Sequence, residues 1–234
     1  MNNVKKASFN YMLKSKGNII TILTMLVLYI LVCVGIYAGV FKTKSEQEMA
    51  LIMYILILGI TLLIANSLVL DLTVKDKLSN RIEFFLAANI KIKDLILAYS
   101  EQMLKMASFV PFMVFMTFYY FIDFEYSFMQ IVILYMTTVA LSYSEVLFLN
   151  TYTFYAQKNK LFKNVIIFGT FLIIYLSGMF SKELIALVEQ FGLDIIYVII
   201  GFNLILSSVL YLVSRKKIKD LNNELLIKQR GQWE

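Results

Sequence analysis

Residues able to do covalent chemistry are scarce in this chain. Its 234 residues include no His and one Cys, and none of the nine glycines begins a G-x-x-x-x-G-K-[ST] loop. Without His there is no Ser-His-Asp triad, no H-E-x-x-H zinc site and no His-ligated haem. Cys33 alone can build neither a thiolate zinc site nor an intrachain disulfide, and reads as a small apolar packing residue. No apolar run holds an Asp well inside it, so paired-aspartate proteolysis within a membrane lacks its residues. An enzyme acting alone is not expected, nor is a cofactor bound by this chain. What remains is polar side chains set in apolar sequence, which normally face protein or a cavity because lipid penalises them. Glu145, in "ALSYSEVLFLN", suits a proton or substrate site on a transport path. It suits equally a carboxyl satisfied by Ser142, Ser144, Asn150 or a neighbouring helix. Asn66 and Asn203 read first as hydrogen-bonding groups between helices, and Gly35 with Gly39 as a close-packing pair.

The elements that would position these groups are membrane spans. The chain is 60% hydrophobic and 16% charged, with a mean hydropathy of +0.74, too apolar for a soluble domain of this size. Hydrocarbon about 30 Å thick needs roughly 20 apolar residues of helix. Such runs occur at about Ile19 to Phe41, Leu51 to Leu70, Leu104 to Ile122, Ser127 to Tyr155, Val165 to Phe180 and Ile195 to Val213. An all-α integral membrane protein with six transmembrane helices is expected, its domain covering residues 19–213. No basic stretch with a short apolar core and a small-residue cleavage site begins the chain, so the first run is expected to remain as a span.

Basic loops resist translocation. With both termini inside, 19 of the 22 Lys and Arg residues fall on the cytoplasmic side, leaving only Lys42, Lys44 and Lys182 outside. The net charge of +6 is thereby explained by orientation, and with base-reading motifs absent no nucleic-acid partner is expected. The lipid bilayer of the cell membrane is the expected surroundings.

Three segments should not span. Residues 1–18 fit an amphipathic elbow at the inner interface, or an unstructured basic leader. In "SKELIALVEQFGLD", Leu184, Leu187, Val188 and Phe191 lie at i, i+3, i+4 and i+7, which suits an outer amphipathic helix over about 182–192. Residues 214–234 read as a cytoplasmic basic tail, with Ile218, Leu221 and Leu225 on one stripe.

The longest charged interruption is "VKDKLSNRIEFFLAANIKIKDL", residues 74–95. Asn80 with Glu83 three residues on has the spacing of a capping box. Ile82, Phe85, Leu86 and Asn89 then share a face, flanked by Phe84 and surrounded by Asp76, Lys77, Arg81, Lys91 and Lys93. A cytosolic helix showing Phe and Leu among charges suits a groove on another protein, or packs beneath its own spans.

The stretch "KDKLSNRIEFFLAANIKIKDLILAYS" resembles the cytoplasmic signature of ABC type-2 transporter permeases. Asp76 and Lys77 match the leading charges of that signature, Ile82 its aliphatic position, Glu83 its Glu, Phe85 and Leu86 its Leu pair, Ala87 its Ala and Ile90 its Val. Asn80 stands where Gly is usual, and Ala88-Asn89 where Thr-Pro is usual. The resemblance implies an ABC type-2 exporter-like bundle with a coupling helix over about 78–90. That helix would be seated on a separate cytosolic ATPase subunit that carries the ATP and Mg, with a second permease copy or homologue completing the pathway. Arg81, Ile82, Glu83, Phe85 and Leu86 would form the coupling contact, with Phe85 at its centre. The implied activity is export of a hydrophobic or amphipathic substrate, such as a drug, lipid or membrane-active peptide. Two rivals stay open: a non-transporting six-span immunity or sensor protein, and an ATP-independent channel or carrier built around Glu145.

Overall fold

In a computed structural model, the described residues are 2–39, 44–122, 124–155, 172, 175 and 178–221. Their regular elements are all helical, and five helices are long and apolar enough to cross a membrane. The fifth expected span, Val165 to Phe180, lies largely outside the described residues.

An amphipathic helix α1 (Asn2–Lys14) leads through Ser15 into α2 (Lys16–Tyr37), the first apolar helix. Helix α3 (Glu46–Leu68) starts at a true capping box: the Ser45 hydroxyl accepts from the Glu48 N–H at 3.2 Å, and the Glu48 carboxylate accepts from the Ser45 N–H at 3.0 Å. Glu46 and Glu48 in its first turn also oppose the positive end of the helix dipole. Instead of ending near Leu70, the helix runs on through a π-helical stretch, Val69–Val74, into α4 (Lys75–Leu78). The resulting helix of 33 residues, Glu46–Leu78, is the centre of the bundle: 72% of its apolar window is buried, against 6% for α2.

A short helix α5 (Arg81–Ala87) follows, bounded by Asn80 and Asn89 in the left-handed region, with φ of 57° and 60°. Asn tolerates that conformation better than most residues, because its short side chain can bond locally. The third long helix begins earlier than the apolar run, at Ile92 rather than Leu104, as α6 (Ile92–Ala107), and continues as α7 (Phe109–Phe121). The break at Ser108 has a cause in the sequence. Pro111 has no N–H to give the Ala107 carbonyl, and its ring crowds that carbonyl.

Helix α8 (Phe128–Tyr155) packs along α10 (Ile195–Asp220) more extensively than any other pair of described helices. The short α9 (Ser181–Gln190) buries Ile185 and Val188 and leaves Leu184, Leu187 and Phe191 exposed. The expected stripe therefore turns only Val188 inward. Helix α10 continues to Asp220 with Ile218 buried, so the first residues of the expected tail prolong the helix. Residues 222–234 lie outside the described set.

Hydrogen bonds define the bundle's two ends. At one, Ser15 donates to Asp71 (3.0 Å) and the Tyr155 hydroxyl to the Lys217 carbonyl (2.8 Å), while Lys5 pairs with Glu101. At the other, Gln47 donates to Glu189 (3.0 Å), and Tyr126 gives its N–H to Glu46 (2.7 Å) and its hydroxyl to Asp194 (2.7 Å). The first end is rich in lysine and the second in carboxylates.

Candidate functional site

Short helix α5 stands at the lysine-rich end and is tied down through one guanidinium. Asp76, in the last turn of the central helix, is 2% exposed. Its carboxylate accepts from the Tyr99 hydroxyl at 2.6 Å and from Arg81 Nη1 at 3.2 Å. The Arg81 guanidinium also lies over the Tyr11 ring, 5.2 Å from its centroid, a cation–π geometry. Asp76 raises the Arg81 pKa further above its ordinary value. Arg81 thus links α5 to the end of the central helix and to the amphipathic α1, and Asp76 in turn is bonded to Tyr99 of α6.

Lys77 does a similar task nearby. Its ammonium donates to the carbonyls of Thr153 (2.9 Å) and Phe154 (3.1 Å) in the last turn of α8, where helix carbonyls lack intrahelical partners and carry the negative end of the dipole. Asp76 and Lys77 are therefore not rim charges around a docking face, as the spacing suggests. Both are buried and hold the connector onto the long helices.

The exposed face of α5 also differs from the expected one. Ile82 is buried at 6% exposure, and Phe85 and Leu86 are half-buried against the chain's own core. Phe84 stands out at 73% exposure, its ring edge-on to Phe85 with centroids 6.3 Å apart. The i, i+3, i+4 stripe is the one that packs inward, as amphipathic helices ordinarily do, and it leaves the flanking aromatic to solvent. Arg81 is exposed beside it and Glu83 half-buried. Asn80 makes no side-chain cap, so the Asn80 and Glu83 capping box does not form; Glu83 instead gives its N–H to the Asn80 carbonyl at 3.2 Å. Between α1 and α5 lies a cavity of about 390 Å³, with Tyr11, Arg81, Phe85 and Tyr99 among its walls.

The polar residues of the long helices divide three ways. Asn203 is fully buried, accepts from the Tyr54 hydroxyl at 2.9 Å and donates towards Thr137 (3.4 Å) and Thr138 (3.3 Å), joining α3, α8 and α10. Asn66 does the reverse: it is buried, yet neither its amide nitrogen nor its oxygen has a hydrogen-bond partner. Glu145 is half-buried. The three side chains expected to satisfy it bond elsewhere. Ser142 bonds to Thr138, and Ser144 to Ala140. Asn150 bonds to Ser100, Met103 and Thr73, a network joining α8 to α6 and the π-helical stretch that composition alone did not single out.

Among the described residues, no three His, Cys, Asp or Glu side chains gather to hold a metal. No family model, curated protein or solved structure matches the chain. The fold and these contacts define an all-helical protein whose five long apolar helices are those of a membrane protein.

Proposed function

We propose that the chain is the transmembrane permease subunit of an ATP-driven ABC exporter. In this reading it has six spans, both termini are cytoplasmic, and it lies in the cell membrane. A separate cytosolic ATPase subunit binds ATP and Mg, and a second permease copy or homologue faces the weakly buried α2 across the pathway. The observation that carries the reading is α5: a short helix at the lysine-rich end, fixed through Arg81 to α1 and to Asp76, which Tyr99 of α6 also holds, with Phe84 presented outward. A helix so fixed transmits a push from a bound subunit to the long helices instead of flexing. Six spans are favoured because the Tyr155 hydroxyl bonds to Lys217 at one end of the bundle, whereas Ser181 begins a helix whose Glu189 bonds to Gln47 at the other. The cargo is hydrophobic or amphipathic, moved without covalent chemistry.

Purification from the native membrane tests this directly. An ATPase subunit should accompany the chain, and its hydrolysis should rise with cargo. A chain that purifies without any nucleotide-hydrolysing partner would remove the reading. That no hydrogen bond reaches Glu145 from the described residues favours a second reading, an ATP-independent carrier. That reading requires transport in vesicles lacking ATP and its loss in Glu145→Gln, whereas the exporter reading gives no transport without ATP and leaves ATP-driven transport largely intact in Glu145→Gln.

A further inference from the structure

The acidic end of the bundle carries a feature that coupling to an ATPase does not use. A cavity of about 380 Å³ opens there, and five of its walls are aromatic: Tyr119, Tyr120, Phe124, Tyr126 and Phe128. The Tyr119 and Phe128 rings converge at 5.2 Å and 58°. Tyr126 is held at both ends, its N–H on the Glu46 carboxylate and its hydroxyl on that of Asp194. Burial, and then the bond to Asp194, push its phenol above the usual range, so it stays neutral. A second, shallower cavity of about 300 Å³ continues along the exposed side of α7 towards α2, between Tyr29, Phe112, Met116 and Phe121. Tyr120 lines both cavities.

We propose that these two cavities, which share Tyr120, bind an amphipathic cation, its quaternary or alkylated ammonium head among the aromatic rings and its apolar tail along α7. Aromatic faces attract organic cations through their ring quadrupoles. The second cavity offers Met and Phe surface, which suits an alkyl chain and offers a polar solute little. Charge complementarity sets the sign of the ligand. Among the described residues around this end, Glu46, Glu48, Glu125, Glu183, Glu189 and Asp194 outnumber Lys44 and Lys182, and Lys44 is itself paired with Glu48 at 3.5 Å. Glu46 and Asp194 stand directly behind Tyr126. An anionic amphiphile of equal length is disfavoured at this end.

Binding requires neither ATP nor a second subunit, so failure of this site and failure of the exporter reading are separately visible. The test is equilibrium dialysis of radiolabelled dodecyltrimethylammonium against the full chain in dodecyl maltoside micelles. Saturable binding is expected, with dodecyl sulfate competing at least about tenfold less well, the sign dependence a cation site imposes. Tyr119→Leu and Phe128→Leu keep the apolar surface but remove a ring, and each should weaken binding by about threefold or more. Both residues are well exposed, at 39% and 59%, so neither change should disturb folding. Tyr37→Leu, at a 92% exposed tyrosine on the same end but outside both cavities, should leave binding unchanged. Non-saturable uptake, equal competition by the sulfate, or equal binding by all three variants would overturn the proposal and leave only an aromatic belt at a membrane interface.

Discussion

Tyr99→Phe is the sharpest probe of how α5 is held. The change removes one oxygen, and with it the 2.6 Å bond from the Tyr99 hydroxyl to the Asp76 carboxylate. Both residues are 2% exposed and border the cavity between α1 and α5, so any water that replaces the lost donor must enter from there. A hydrogen bond to a charged group contributes about 1.5–3 kcal/mol net, and more is lost when the remaining partner is left buried and under-satisfied. Tyr99→Phe should therefore destabilise the bundle by about 2 kcal/mol or more. Arg81→Ala should cost less. Its side chain is 50% exposed, so its ion pair is solvent-screened and contributes about 1 kcal/mol at most, and the contact over Tyr11 adds about 0.5–1 kcal/mol. The assay is unfolding in mixed maltoside and dodecyl sulfate micelles, followed by circular dichroism, for each single variant and the double. Because the two side chains share Asp76, the double variant should deviate from additivity by about 0.5 kcal/mol or more. A Tyr99→Phe protein within about 0.5 kcal/mol of the parent, or one more stable than Arg81→Ala, would refute this account of the latch.

Other outcomes follow from contacts elsewhere. A Cβ on Gly17 would lie 2.6 Å from Asp71 Oδ2, so Gly17→Ala should break the Ser15 to Asp71 bond and destabilise by about 1–3 kcal/mol in the same assay, whereas Gly201→Ala, with open space around it, should not. Asn66→Leu should stabilise by about 1 kcal/mol or more, because it replaces a buried amide that has no partner with apolar surface of similar size. Asn203→Leu should do the opposite, stranding the Tyr54 hydroxyl. In a Cys33→Ala background, single cysteines at exposed Lys44 or Lys182 should react with impermeant maleimide from outside intact cells, and those at exposed Lys75 or Lys91 should not; the reverse pattern would invert the orientation.

The apolar runs disclosed the long helices because hydrocarbon thickness sets their length. Their ends were harder to read. Asp71, Asp76 and Lys77 look like connector charges in the sequence, yet the central helix carries all three. Nothing local announces that Ser15, Tyr99 and the end of α8 will meet them. Charged residues satisfied by partners distant in sequence leave no spacing signal. The amphipathic stripe of α5 was legible as a stripe, but periodicity does not say whether a face packs on its own bundle or on another chain. Ile82, Phe85 and Leu86 take the first option and leave Phe84 outside. Asn80 was misread because Asn serves both as a helix cap and as a left-handed turn residue. The start of α6 was hidden by its amphipathic, partly polar sequence, and the apolar run from Leu104 to Ile122 was read straight through the break at Ser108 that Pro111 causes. The aromatic cavity at the acidic end draws on residues from two helices and the turn between them, which no single periodic run displays.

The role of α5 as a docking helix is tested most directly by comparing two neighbouring phenylalanines. Phe84→Asp places a carboxylate on the exposed face, where an aromatic anchor in a partner's desolvated pocket carries about 2 kcal/mol or more. Phe85→Asp places one against the chain's own core. Purified from the native membrane, the Phe84→Asp protein should accumulate normally and lose its ATPase subunit, whereas the Phe85→Asp protein should accumulate poorly or unfold more readily. A Phe84→Asp protein that retains its ATPase and full transport would contradict the account.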